Sequence, residues 1–140
     1  LFAEFSGLVR EGLLKAPLVP GLERLLETRL RRVDCFVASA APLEEVKTVL
    51  ERRGLMKYFK TVCGWPKTKA GIIRELLAAG NIKPQEAVLI GDSITDYNAA
   101  EETGVAFIAR AIKNKSDLAG VAANFVKDFN DKALLPLLFI

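Results

Sequence analysis

From residue 33 to residue 109, short apolar runs alternate with amphipathic stretches of helical period, and the helical stretches close on glycine. That order constrains the fold more than any other feature of the chain, because parallel strands need long crossovers and a helix of ten to fifteen residues supplies one. Residues 33–39 are apolar and end in small side chains, as a strand buried on both faces should. Residues 58–63, 87–90 and 105–109 are further strands by the same reasoning. A helix opens at Pro42, with Glu44 and Glu45 favouring its N-terminal dipole and Gly54 at its close. A second covers residues 68–79, with Ile72, Ile73, Leu76 and Leu77 on one side and Gly80 at its end, and a third covers residues 94–103 and ends at Gly104. Ahead of them, Leu22, Leu25, Leu26 and Leu30 recur at helical spacing after Pro20-Gly21. The pattern predicts an α/β fold: a parallel sheet with helices on both faces and right-handed crossovers.

Composition limits what such a fold can do. With 140 residues and no low-complexity linker or repeat, the chain builds about one core. It carries no His, which removes the Ser-His-Asp triad, the His general base and the H-E-x-x-H zinc site together. Cys35 and Cys63 fall short of a zinc or disulfide framework and read as free thiols in a reducing compartment. No apolar stretch reaches the eighteen or so residues of a membrane helix, and no leader or transit pattern is visible, so the expectation is a cytoplasmic protein without membrane partners. Net charge is +3, yet Arg29, Arg31, Arg32, Arg52 and Arg53 look like polar helix faces. No nucleic-acid partner is expected. Oligomeric state is not legible.

In open α/β sheets ligands sit beyond the carboxyl ends of the strands. The residues after Ala38 and Ile90 are therefore the expected site. Leu89-Ile90-Gly91-Asp92-Ser93-Ile94-Thr95-Asp96 puts two carboxylates four residues apart at a strand-to-helix junction. Like charges at that spacing repel. The helix dipole offsets this at Asp92, and a hard cation held by both carboxylates would do so more strongly. The simpler reading is that Asp92 and Ser93 cap a helix while Asp96 is solvated. Ser39 could hold a phosphoryl oxygen together with the following amides, or only cap a helix. Lys67 and Lys69 precede the second helix, an unfavourable place for cations that asks for a compensating partner.

These pieces occur in an order that resembles the haloacid dehalogenase superfamily, mainly phosphohydrolases, and its phosphoglycolate phosphatase-like branch with a helical cap. Val37-Ala38-Ser39 resembles the second family motif, and Lys69-Ala70-Gly71-Ile72-Ile73-Arg74-Glu75-Leu76 the third. Leu89 to Asp96, with Asn98-Ala99-Ala100 and Gly104, resembles the fourth. Leu18-Val19-Pro20-Gly21-Leu22 is similar to the segment by which the chain re-enters the core after the cap. The resemblance covers residues 17–110. It implies a three-layer Rossmann-like core and an Mg²⁺-dependent phosphatase acting on a small phosphorylated substrate. It further implies that Ser39 and the Ala40 amide bind the phosphoryl group and that Lys69, with Lys67 as its competitor, neutralises charge. Asp92 would coordinate Mg²⁺, with Asp96 either completing the metal shell or orienting the lysine. Phosphoryl transfer is mostly positioning and charge neutralisation, which a metal and a lysine supply without any His.

One family motif has no match on this reading. The first motif is Asp-x-Asp at the end of the first strand, its first Asp the nucleophile and its second the general acid. Asp34 has Phe36 where a second carboxylate belongs, and Asp128, Asn130 and Asp131 follow no apolar strand. Residues 1–16, with Phe2, Phe5, Leu8, Val9, Leu13 and Leu14 as one apolar helix face, read as a remnant of the helical cap. Residues 17–140 read as an incomplete Rossmann-like hydrolase core whose central first strand is missing, with a helix expected over residues 134–140. Two function classes follow: a phosphatase of which this chain is an inactive part, or a catalytically dead binding or interaction domain.

Overall fold

A computed structural model of the chain describes residues 2–3, 21–28, 30–110, 117–132 and 134. Among them are six strands in one parallel sheet: β1 (Phe2–Ala3), β2 (Phe36–Pro42), β3 (Thr61–Trp65), β4 (Val88–Gly91), β5 (Ala106–Arg110) and β6 (Phe125–Val126). Their order across the sheet is β3-β2-β1-β4-β5-β6. Four α-helices serve as connections: α1 (Leu22–Glu27), α2 (Leu43–Arg52), α3 (Lys69–Ala79) and α4 (Ile94–Thr103). The expected α/β architecture with helices on both faces is the observed one.

Side-chain alternation along the strands sorts the core into two layers. Val37, Ile90, Ile108 and Val126 face α1 and α2, where they pack with Leu22, Leu25, Leu26, Val46 and Leu50. Phe36, Ala38 and Leu89 face the other way, onto Ile72, Ile73, Leu76 and Leu77 of α3 and Ala99 and Ala100 of α4. Each buried aliphatic side chain contributes roughly 1.5–3 kcal/mol through removal from water. The sheet is thus held from both sides, and its carboxyl edge is left to the loops.

The central first strand is present, which corrects the expectation that it was missing. Phe2 pairs with Phe36 and Leu89, and Ala3 with Val37 and Ile90, so β1 lies in the slot between β2 and β4. Phe2 and Ala3 are therefore sheet, not a remnant of a cap helix. The physical reason is the cost of the alternative: without them the inner edges of β2 and β4 would leave buried backbone N–H and C=O groups unpaired. Residues 4–16, the rest of the expected cap remnant, lie outside the described residues. So does the expected helix over residues 134–140, apart from the buried Leu134. The short β6 was not anticipated, because two residues carry no periodic signal. The second strand of the reading, residues 58–63, is shifted: Met56–Tyr58 form a 3-10 turn and β3 begins at Thr61. Among the described residues no helix is long and apolar enough to cross a membrane.

Candidate functional site

Ladder register lines up the strand ends. Ala3 is level with both Val37 and Ile90, and Ile90 is level with Ile108. Just beyond these pairs, Ser39, Asp92 and Arg110 lie at the carboxyl edge of β2, β4 and β5.

Ser39 owes its place to an irregularity in β2. Ala38 is opposite Cys63 and Pro42 is opposite Trp65, so four steps of β2 face two of β3 and the extra residues leave the ladder. Such bulges re-aim side chains at sheet ends. The backbone fits because position 64 is glycine: a Cβ there would lie 2.5 Å from the Ala41 carbonyl oxygen. Within the bulge the Ser39 hydroxyl accepts a hydrogen bond from the Ala41 amide at 3.1 Å. Ser39 is fully buried, and its own O–H hydrogen remains for an acceptor such as a phosphoryl oxygen. Ala40 is exposed beside it.

The two lysines separate cleanly. Thr68 caps α3 by accepting from the Gly71 amide, so Lys69 is the first helical residue. Its ammonium donates to Asp96 Oδ1 at 2.5 Å, and the two side chains are 5% and 0% exposed. This is the partner that a cation at a helix N-terminus calls for, placed where little water screens it. Lys67 is exposed and donates to Glu75 at 2.7 Å, which raises its pKa from the ordinary value. Lys69, not Lys67, stands with the buried carboxylate.

Asp96 is committed on both oxygens. Its Oδ2 accepts from the Asp92 amide at 3.1 Å, the Ser93 amide at 3.1 Å and the Ser93 hydroxyl at 2.8 Å. Ser93 in turn accepts from the Asp96 amide, completing a capping box at the start of α4. Asp96 is thus neither solvated nor open. It orients Lys69 and closes the helix terminus. Asp92 reaches the rim, where its Oδ2 accepts from the Arg110 guanidinium at 2.8 Å, with side chains about one-third exposed. Arg110 was not singled out from sequence; its only signal is a cation at the end of a strand adjacent to the one that presents Asp92.

Among the described residues, Asp92 and Asp96 do not by themselves complete the Mg²⁺ shell that the resemblance implied. Mg²⁺ needs oxygen ligands with free lone pairs in octahedral array. Asp96 has spent its oxygens on donors and Asp92 faces a guanidinium, and no three His, Cys, Asp or Glu side chains converge among the described residues. Both cysteines are free, with Cys35 buried and its thiol pKa pushed up by desolvation.

Comparison with known proteins decides the class. A family profile described as haloacid dehalogenase-like hydrolase matches residues 4–110. The chain belongs to the haloacid dehalogenase-like hydrolases. A hydrolase of this superfamily from Geobacter sulfurreducens is 28% identical with a TM-score of 0.71, the match covering 86% of this chain and 55% of that one. A protein from Clostridium acetobutylicum described as a predicted phosphatase is 26% identical with a TM-score of 0.63, over 76% of this chain and 54% of that one. One from Haemophilus somnus described as a predicted phosphoglycolate phosphatase shares the fold at 20% identity and a TM-score of 0.70, over 81% and 54%. The chain spans about half the length of these solved structures. A search of the curated proteins gives no match.

The residues that follow β1 are Glu4-Phe5-Ser6-Gly7, and the family match begins at residue 4. In this family the first strand leads into Asp-x-Asp-Gly. Glu4 and Ser6 share the i, i+2 spacing of those two Asp residues in sequence.

Proposed function

We propose that the carboxyl edge of this sheet is a phosphatase-type site that binds the phosphoryl group of a small phosphorylated metabolite and, in this chain, does not cleave it. The observation that carries the reading is the buried Lys69–Asp96 pair, on the same carboxyl edge of the sheet as the buried Ser39. A positive charge held in place by a buried carboxylate is a preorganised partner for an oxyanion, because no reorientation is required when the anion arrives. Ser39 adds a hydroxyl donor and the exposed backbone at Ala40 adds an amide, the two ligands suggested by the second motif.

Cleavage fails on the first motif, whose two Asp positions we assign to Glu4 and Ser6. Glu4 carries one more methylene than Asp, which carries its nucleophilic oxygen about 1 Å or more from where the shorter side chain would present it, and misplacement on that scale costs on the order of 10²-fold in rate. Ser6 has a hydroxyl in place of a carboxylic acid and cannot protonate a leaving group near neutral pH. Mg²⁺ is the metal used by phosphatases of this family, and Asp92 is the residue that resemblance assigns to it, although the described donors do not favour it.

The test is calorimetric titration of inorganic phosphate into the purified chain beside Lys69→Met, with hydrolysis of an aryl phosphate measured in parallel. Phosphate binding weakened at least tenfold in the variant, with no turnover by the native chain, is the expected outcome. Native turnover that requires Mg²⁺ and is lost in Asp92→Asn would overturn it in favour of an active Mg²⁺-dependent phosphatase.

A further inference from the structure

We propose that Arg110 is the resident cation of this site, and that Arg110 and Lys69 together receive the phosphoryl group without a divalent metal. The proposal rests on the phosphoryl-binding reading above and deepens it. Three observations carry it. First, the guanidinium of Arg110, the last residue of β5, donates to Asp92 just past β4 at 2.8 Å, on the carboxyl edge of the sheet to which Ser39 also belongs. Second, both oxygens of Asp96 are taken by Lys69, by two backbone amides and by the Ser93 hydroxyl. Third, a cation seeking Asp92 finds a positive charge already there, and no three His, Cys, Asp or Glu side chains converge among the described residues.

Guanidinium chemistry suits the role. A guanidinium carries five donors in a rigid plane, so one N–H spent on Asp92 leaves others to meet phosphoryl oxygens in the bidentate geometry that Arg favours. Asp92 then becomes a positioning residue: it holds the planar group at the rim and does not compete for the ligand. The ion pairs of Lys69 with Asp96 and of Arg110 with Asp92 hold both cations in place. An incoming dianion adds negative charge to a site whose two cations are already aimed, the work that a divalent ion would otherwise do.

The experiment measures binding, not turnover. Inorganic phosphate is titrated calorimetrically into the full chain, once with EDTA and once with millimolar Mg²⁺, and the same titrations are run on Arg110→Gln, Arg110→Lys and Lys69→Met. The expected native dissociation constant agrees within about twofold between the two conditions, Arg110→Gln weakens binding about tenfold, and Arg110→Lys falls between, since a point charge lacks the fork. Mg²⁺ titrated alone should bind Arg110→Gln more tightly than the native chain. Phosphate binding that appears only with Mg²⁺, or is unchanged in Arg110→Gln, would overturn this proposal while leaving the phosphoryl site standing. Native chain that binds no phosphate in either condition would overturn both. Circular dichroism checks the folding of each variant, and if Arg110→Gln does not fold, the native comparison of EDTA with Mg²⁺ decides alone.

Discussion

A Cβ added to Gly91 would lie 2.5 Å from Cβ of Asp96 and 2.6 Å from its carboxyl carbon. The strand β4 and the first turn of α4 are therefore in contact through the bare backbone of one residue, and the buried carboxylate lies directly on it. Gly91→Ala should destabilise the fold by about 1–3 kcal/mol, as overpacking of a close contact does, and should push Asp96 away from Lys69. Urea unfolding reads the first effect, and a change of less than about 0.5 kcal/mol would show that the contact relaxes freely.

Removing one partner of the Lys69–Asp96 pair leaves the other buried without its counterion. Lys69→Met should cost about 3–5 kcal/mol, partly offset by the three other hydrogen bonds that Asp96 Oδ2 accepts. A double-mutant cycle with Asp96→Asn should return a coupling energy of about 1–3 kcal/mol. Additive losses would mean that the two side chains stabilise the fold independently.

Lys67 provides the contrast. Its ion pair with Glu75 has both side chains more than half exposed, 54% and 59%. Lys67→Ala should change stability by less than about 0.5 kcal/mol and leave phosphate binding unchanged. A loss of phosphate affinity comparable to that of Lys69→Met would assign the motif to the wrong lysine.

Restoring the family residues should restore chemistry. The double variant Glu4→Asp, Ser6→Asp is expected to hydrolyse an aryl phosphate at least about tenfold faster than the native chain, because it regains the shorter carboxylate and a general acid. Unchanged background rates in a variant that still binds phosphate would place the block elsewhere.

Away from the site, Tyr58 donates its hydroxyl to Glu27 Oε1 at 2.6 Å, and that bond, with smaller contributions from desolvation and from the charges of Glu27 and Glu23, pushes its pKa up from 10.0 to about 12. The native state prefers the neutral phenol. Whatever stability this adds is fully present below pH 10 and is lost as pH rises through about 12. In a Tyr97→Phe background, phenolate absorbance should report a midpoint near the upper value, and Glu27→Gln should move it down toward the ordinary one. A midpoint that does not respond to Glu27→Gln would remove the bond as the cause.

Much of this arrangement was legible in the sequence. The helix over Ile94–Thr103 and its glycine end were read to the residue, because Ser93, Asp96 and Gly104 are local signals whose meaning does not depend on the rest of the fold. The choice between Lys67 and Lys69 was not settled, since two residues of spacing around a helix start leave open which one turns inward. Thr68 capping the helix decides it. The first strand was missed for a different reason. Phe2–Ala3 is too short for any period to show, and its placement follows from pairing partners 34 and 87 residues away. With the strand unseen, nothing drew attention to Glu4 and Ser6, which follow it at the spacing of the family's Asp-x-Asp.

The sheet consists of two half-sheets, β3-β2 and β4-β5-β6, and among the described residues the backbone ladder between them runs through Phe2 and Ala3 alone. A second tie is helical: α3 of the first half packs on α4 of the second, and the Lys69–Asp96 bond crosses that contact. The residues of the proposed phosphoryl site lie on both halves, Ser39 on one and Arg110 on the other. An anion bound there should act as a rivet, registered as slower amide exchange in strands that never touch it.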